Sequence, residues 1–351
     1  MAMYMPMFRY LENGEFIAAV DIIREKAERA RDLYGAKAVY ASIDEMLLDD
    51  RIDGVIIVTP HDLHAEHAVK IAAAGKHVLC EKPMARTIEE CDRMIEACER
   101  NSVMLMAAHM KRFNRCFRLA TQMLRDGRLG DVVQVRTQWD VPGDTTDEAY
   151  MRLPKWGCAC IGYGSHTIDL CRWWLGEVET VSAELSIGLK GREVDDQSVM
   201  LLRHESGAVS LHCVSLVYHK PMIEAYTIMG TDATLQMRFE GQWSYISPMP
   251  FDMKLFQHGR LTEDLTPSIQ DNIDDELRTN NHFLKEMEHF CDCIVHGKTP
   301  LASGIDGRKA TEVSNAACLS SWQKEKVTLP LSQSPDLEKF FRELAGMESA
   351  Q

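Results

Sequence analysis

The tripeptide Glu81-Lys82-Pro83, placed directly after the apolar run His77-Val78-Leu79-Cys80, is the strongest chemical signal in this chain. A lysine at the end of a buried strand, between a carboxylate and a proline, suits proton transfer better than it suits fold stability. Proline fixes its own φ and restricts the residue before it, so the lysine backbone is pinned. Partial burial lowers a lysine's proton affinity toward neutrality, where it serves as both acid and base. A surface Lys-Pro turn is the competing reading, and the surroundings decide between them. The second candidate is the stretch Gly157 to Gly176, where Ile161 to Leu175 has apolar residues at helical spacing. His166 and Asp169 are three residues apart there and share one helix face.

The elements around Lys82 alternate. Phe16 to Val20 reads as a short buried strand ending at Asp21, followed by a charged helix from Arg24 to Tyr34 that Gly35 stops. Ser42-x-x-Glu45 is a capping box opening a short helix through Leu48. Val55-Ile56-Ile57-Val58 has the β-branched character of a strand buried on both faces. A helix from Leu63 to Ala74, a strand from Val78 to Cys80, a helix opened by Thr87-x-x-Glu90 and a strand from Val103 to Ala107 complete the pattern. Repeated β-α-β units predict a doubly wound parallel sheet, whose ligands sit at the carboxyl ends of its strands. Asp21, Thr59, Glu81-Lys82 and His109 all fall at such ends.

From about His109 the pattern changes. A helix over Phe113 to Arg125 is followed by strand candidates at Val132–Val141, Thr180–Ile187, Ser198–Arg203, Ala208–Leu216, Ile223–Met229 and Thr234–Phe239. They predict a large, mainly antiparallel open sheet. Trp243 to Leu277 reads as loop with short strands. Helices are expected at His282–Val295, Gly307–Trp322 and Asp336–Leu344. Residues 1–108 then form the parallel unit, lacking its first strand, and residues 109–351 an α+β substrate and oligomerisation unit.

Composition narrows the class. The chain has 351 residues and a formal net charge of −14, which argues against nucleic acid or an anionic membrane surface as partner. No apolar run approaches the roughly 20 residues of a membrane span, and Met1 to Tyr10 has no secretion signal. Eleven cysteines in so long a chain, mostly in apolar contexts, read as buried hydrophobes of a reducing cytoplasm. Neither Cys158/Cys160 nor Cys291/Cys293 has zinc spacing, so no metal is expected.

The segment Asp53 to Ala85 resembles the signature of the Gfo/Idh/MocA oxidoreductases, the glucose-fructose oxidoreductase and inositol dehydrogenase group. Gly127-Arg128-Leu129-Gly130, Gly164 to Asp169 and His289 to Pro300 are similar to it as well. The resemblance implies a Rossmann-like N-terminal unit binding NAD, a small-molecule substrate, and a homo-oligomer, dimer or tetramer, formed through the C-terminal sheet. It implies that Thr59, Pro60 and His64 line the nicotinamide side, with Glu81 and Lys82 beside the ring and Lys82-Pro83 cis. Met110 and Lys111 match substrate-contacting positions, and His166 matches the histidine of a D-x-x-x-H motif. The aspartate of that motif is Gly162 here, and Tyr163 or Asp169 is the candidate to compensate. Asp21 accepts hydrogen bonds from ribose hydroxyls and repels a 2′-phosphate, favouring NAD over NADP; Arg24 weakens that preference.

The Rossmann fingerprint G-x-G-x-x-G is absent: Gly14 and Gly35 are the first two glycines. Met5 to Asn13 reads as the tail of the first helix. A longer native protein, a short chain with weak cofactor binding, and a neighbouring subunit filling the gap are the three explanations. The expected activity is oxidation of a secondary alcohol of a sugar, cyclitol or cyclic diol, with Lys82, His166 and Tyr163 as its chemical residues. The alternatives are an NAD-dependent glycosidase of the same family and a non-enzymatic member.

Overall fold

The computed structural model describes residues 3–142, 159–241, 251–270 and 281–346. The first third alternates as β1 (Ala18–Val20), α1 (Arg24–Tyr34), β2 (Ala38–Tyr40), α2 (Ile43–Met46), β3 (Gly54–Ile57), α3 (His64–Ala73), β4 (His77–Glu81), α4 (Ile88–Arg100) and β5 (Leu105–Ala108). The helix starts follow their caps. Ser42 Oγ accepts the Glu45 N–H at 3.2 Å, and Thr87 Oγ1 accepts the Glu90 N–H at 3.2 Å. Each bond satisfies one amide that the helix itself leaves bare. Gly35 closes α1 in the left-handed region, at φ 84°. Two expectations shift: the first strand is shorter than Phe16–Val20, and Met5–Arg9 is a single 3-10 turn rather than the tail of an α-helix.

These strands are parallel but fall into two sheets, β1-β2 and β3-β4-β5. Period-two alternation sorts the larger sheet's faces. Ile57, Val78, Cys80 and Ala107 pack under α3 and α4. Leu79, Met106 and Ala108 face the other way, against Phe283, Leu284, Met287 and Phe290.

The rest of the chain runs α5 (Arg115–Arg125), β6 (Val132–Pro142), α6 (Gly164–Leu175), β7 (Val178–Ser186), β8 (Gln197–His204), β9 (Val209–Tyr218), β10 (Met222–Gly230), β11 (Thr234–Gly241), β12 (Asp252–Gln257), β13 (Arg260–Asp264), α7 (Thr266–Ile269), α8 (His282–His296), α9 (Gly304–Gln323), β14 (Val327–Thr328) and α10 (Leu337–Leu344). Nine strands form one sheet in the order β13-β12-β11-β10-β6-β9-β8-β7-β14. Among the described residues of this sheet, only β6 and β9 pair in parallel. One face carries Val135, Trp139, Met200, Leu202, Val214, Tyr226 and Met237 into a core shared with α5, α6 and α9. The helix expected over Ile161–Leu175 begins with a π-helical turn, Ala159–Tyr163, before α6. Such turns widen a helix locally and recur at functional sites. Gly157 and Cys158 lie outside the described residues, as do parts of the Trp243–Leu277 stretch; within that stretch β12, β13 and α7 form.

Helices α8 and α9 are late in sequence but cover the parallel sheet. Phe283, Leu284, Met287 and Phe290 of α8 bury its lower face. At the other flank the Ala107 amide donates to the Ala302 carbonyl at 3.0 Å just before α9. A parallel sheet must be buried on both faces, and here the second segment supplies part of that cover. None of the described helices is long and apolar enough to cross a membrane.

Candidate active site

Lys82 follows the last residue of β4 and is half-buried, with the Lys82-Pro83 bond cis. Its Nζ donates to the Gly162 carbonyl at 3.2 Å. That bond joins the end of the parallel sheet to the π-turn ahead of α6. The residue in the place of the expected acid therefore meets the lysine through its backbone. A Cβ at Gly162 would meet nothing within 4 Å, so crowding is not the reason for the glycine.

Glu81 is tied down on both sides. One oxygen accepts the Lys82 N–H at 2.9 Å. The other accepts from Tyr4 Oη at 3.0 Å, while Tyr4 Oη lies 2.8 Å from Glu286 Oε2. A phenol has one proton to give. Burial, then the charge of Glu81, pushes the Glu286 carboxyl well above its usual range. Tyr4 Oη thus lies within donating distance of both carboxyls and gives its one proton to one of them at a time.

His166 is on α6, 4% exposed, with its ring 5.3 Å from Trp139. Trp139 in turn meets Tyr163 edge-on at 5.3 Å. Burial holds His166 well below the usual histidine range, and the positive charges of Lys82 and Lys111 add to the effect. It is a neutral imidazole at physiological pH. Its Nδ1 is buried and meets no partner among the described residues.

Lys111 and Arg112, which as a helix start would be solvated, are both buried. Lys111 pairs with Glu224 of β10 and lies over the Trp139 ring, 4.1 Å from its centroid. Burial pushes the Lys111 ammonium down against the upward pull of Glu224. Arg112 grips Asp169 with two bonds of 2.9 and 2.7 Å. Asp169 is thus committed to an arginine rather than standing ready beside Lys82. Met110 packs at the margin of the apolar cluster with Phe113 and Phe283.

His64 is fully buried. Its ring nitrogens lie 2.8 Å from the Thr59 carbonyl and 3.1 Å from the Pro83 carbonyl. Burial pushes its proton affinity down, so the neutral ring has one N–H and donates to one of these two carbonyls at a time. Thr59 Oγ1 lies 3.2 Å from His67 Nδ1, and Pro60 opens the 3-10 turn His61–Leu63. Asp21 accepts the Ile23 amide at 2.9 Å. Arg24 is paired with Glu28 at 2.8 Å rather than with Asp21.

Sequence reasoning missed Trp139, Glu224 and His282. The first two were signalled by strand parity. In β10, Met222, Glu224 and Tyr226 all face the core, so a carboxylate there demands a partner. His282 is pushed down to about 3 by burial and by Lys111, and no local pattern announced it. Among the described residues no three His, Cys, Asp or Glu side chains converge on a metal-sized site.

A polar chain holds α6 on the sheet. Thr167, His212, Ser210 and His204 link at 2.8, 2.8 and 2.9 Å, ending 2.9 Å from the Gly176 carbonyl. A carbonyl only accepts, so with neutral imidazoles the protons of His204, Ser210 and His212 point toward Gly176, while the one proton of Thr167 lies between His212 Nδ1 and the Gly164 carbonyl, 3.0 Å away. Burial drives His212 down to about 3, so the folded state stays neutral where the unfolded state takes up a proton. Stability is full above the unfolded value near 6.5 and falls as pH drops below it. Between pH 7 and pH 5 this one histidine removes about 2 kcal/mol, from roughly 1.5 pH units at 1.36 kcal/mol each. Urea unfolding at the two pH values checks this. In His212→Asn the difference between them shrinks by about that amount.

The end of the parallel sheet thus brings a lysine toward a neutral histidine of α6, backed by a broad sheet carrying further polar groups. The sequence pattern of the oxidoreductase family with an NAD-binding Rossmann fold matches residues 2–109, and that of the GFO/IDH/MocA C-terminal domain matches residues 117–236. The chain belongs to the Gfo/Idh/MocA oxidoreductases. It is 25% identical over 340 residues to the myo-inositol 2-dehydrogenase of Thermotoga maritima, covering 92% of this chain and 93% of that one. An uncharacterised oxidoreductase of Streptococcus pneumoniae is 39% identical over 113 residues, 32% of this chain; the match spans about a third of that relative's length, 30%. The WlbA dehydrogenase of Bordetella pertussis, solved with NADH and UDP-GlcNAcA, superposes with a TM-score of 0.75 at 25% identity, covering 93% of this chain and 94% of that one.

Proposed function

We propose that this protein is an NAD-linked dehydrogenase oxidising a secondary alcohol of a sugar, cyclitol or cyclic diol. The observation that carries the reading is Lys82 Nζ held at the Gly162 carbonyl, 3.2 Å away, on the side of the parallel sheet where His166 and Lys111 converge.

The residues at the strand ends suit the cofactor at two of its three parts. Asp21 suits an adenosine ribose, and Thr59, Pro60, Glu81 and Lys82 suit the nicotinamide end; the glycine turn that cradles a pyrophosphate is not among the residues of this chain. A bound nicotinamide supplies a hydride acceptor. Lys82, as the free amine, takes the hydroxyl proton of the substrate; the carbonyl at Gly162 orients it without adding charge. His166, neutral and of low proton affinity, positions the hydroxyl by hydrogen bonding rather than by accepting its proton. Lys111 and Trp139 wall the substrate side. The carboxylate of Asp21 disfavours a 2′-phosphate, and Arg24 is occupied by Glu28, so NAD is preferred to NADP.

The reading is tested by mixing the protein with NAD and a panel of cyclitols, pyranoses and cyclic diols and following nicotinamide absorbance. Absorbance growth with one class supports it. Release of an aglycone from a glycoside with no net absorbance change would instead mark a hydrolase that uses the nucleotide transiently.

The outer face of the large sheet supports assembly. Val199 and Leu201 are 49% and 47% exposed, and they pair across the strands with Cys213 and Leu211. Isolated apolar residues on a surface mean little, but a contiguous patch marks an interface. We expect Leu201→Arg to convert the protein from oligomer to monomer in sedimentation. A wild-type protein already monomeric at micromolar concentration would contradict the assembly.

A further inference from the structure

The protein buries one carboxyl that the proposed chemistry does not use. Glu286 of α8 is wholly buried. Its Oε2 lies 2.8 Å from Tyr4 Oη, and its Oε1 meets no partner among the described residues. The basic groups around it are engaged elsewhere. On the turn Met110–Phe113, which packs against α8, Lys111 pairs with Glu224 and Arg112 with Asp169. Arg9 of the first turn donates to the Leu33 carbonyl. On α8 itself Lys285 pairs with Glu288, and His289 accepts the Leu301 amide. Burial holds His282 of α8 and His109 at the end of β5 uncharged. The charges that do act on Glu286 are negative, Glu81 of β4 and Asp169 of α6.

A lone buried carboxylate is costly, and such a group takes up a proton instead. The hydrogen bonds make the same demand. Tyr4 has one proton, and burial pushes its phenol well above the ordinary value, so it keeps that proton. Its contacts are 3.0 Å to Glu81 and 2.8 Å to Glu286. With both carboxyls ionised, one of these contacts sets oxygen against oxygen with no hydrogen between them. A proton on Glu286 supplies the missing hydrogen. Tyr4 then serves Glu81, whose other oxygen holds the Lys82 amide at 2.9 Å.

We propose that Glu286 is a positioning residue for Lys82: it carries a proton through neutral pH, which directs Tyr4 to Glu81 and leaves a single negative charge behind the lysine. The proposal rests on the dehydrogenase reading only for what Lys82 does, and its test needs no turnover.

The test uses the full 351-residue chain with Glu286→Gln, a neutral isostere that keeps a donor, and Tyr4→Phe. Urea unfolding between pH 5 and pH 8 reads the proton. The unfolded chain releases it at about pH 4.3, so the wild type loses stability as pH rises above that value, until Glu286 ionises in the folded state. The glutamine variant has no such loss. The ratio of unfolding constants, wild type over Glu286→Gln, should therefore grow by up to about tenfold per pH unit. Trace acetylation with acetic anhydride, read at Lys82 by mass spectrometry, follows the titration of the lysine whether or not the protein turns over. In Tyr4→Phe the midpoint should move up by about half a unit or more, because a carboxylate without its donor holds the ammonium more tightly. In Glu286→Gln it should stay in place. A constant or falling ratio, an unmoved midpoint in Tyr4→Phe or a shifted one in Glu286→Gln overturns the proposal. A growing ratio and a shifted midpoint in a protein that reduces nicotinamide with no alcohol would sink the dehydrogenase reading and leave the role of Glu286 standing.

Discussion

Lys82→Met lowers turnover by about 10²–10⁴-fold, the usual contribution of a positioned acid–base group, while the unfolding midpoint falls by no more than about 2–4 °C. The expectation rests on the place of the lysine at the end of the parallel sheet. It is half-buried, and its Nζ donates to the Gly162 carbonyl. Losing a hydrogen bond of this kind costs about 1 kcal/mol. Methionine keeps the unbranched stem and fills the same space. Lys82→Arg separates two roles. Guanidinium stays charged at every working pH and does not take a proton, so it preserves electrostatics and removes acid–base chemistry. We expect the arginine variant to be nearly as slow as the methionine one. If it regains most of the turnover, the lysine acts through its charge and the proton goes elsewhere. Undiminished activity in the methionine variant would remove the basis of the proposed mechanism.

The position of that lysine was legible because it depends on local order. Strand, charged residue, proline and helix follow one another within a few positions, and β3, β4 and α4 form where the β-branched run and the cap at Thr87 place them. The large sheet was legible for the same reason: β6, β8, β9 and β11 alternate more and less buried residues along most of their length. β13 escaped because all five of its residues are exposed, leaving no alternation to read. The group facing Lys82 escaped for a different reason. At Gly162 the acting atom is a backbone oxygen, which every residue possesses, so no side-chain pattern reveals it. Asp169 shows the reverse error. Its type and spacing suit a catalytic partner for His166, but Arg112, 57 positions earlier in the chain, claims both of its oxygens.

Lys111 and Glu224 are 113 positions apart, and their contact makes the second large effect. Lys111 is 4% exposed and Glu224 not at all. Tyr226 Oη donates to the same Glu224 oxygen that Lys111 meets. Removing one partner of such a pair leaves the other charge buried and uncompensated, at about 3–5 kcal/mol. Lys111→Met should therefore lower the unfolding midpoint by about 6–20 °C, taking 2–4 °C per kcal/mol for a unit of this size. The double variant Lys111→Met with Glu224→Leu buries no charge, and apolar replacement of a whole buried pair is often neutral or better. It should recover most of the midpoint, and the cycle of four proteins yields the coupling directly. Substrate affinity divides the structural role from the functional one. If Lys111 only supports the sheet, KM recovers along with stability in the double variant. If it also contacts substrate, as its place beside Trp139 and His166 argues, KM stays raised in a protein that is otherwise as stable as the original. A single variant with an unchanged midpoint would mean that the pair is not an ion pair in solution.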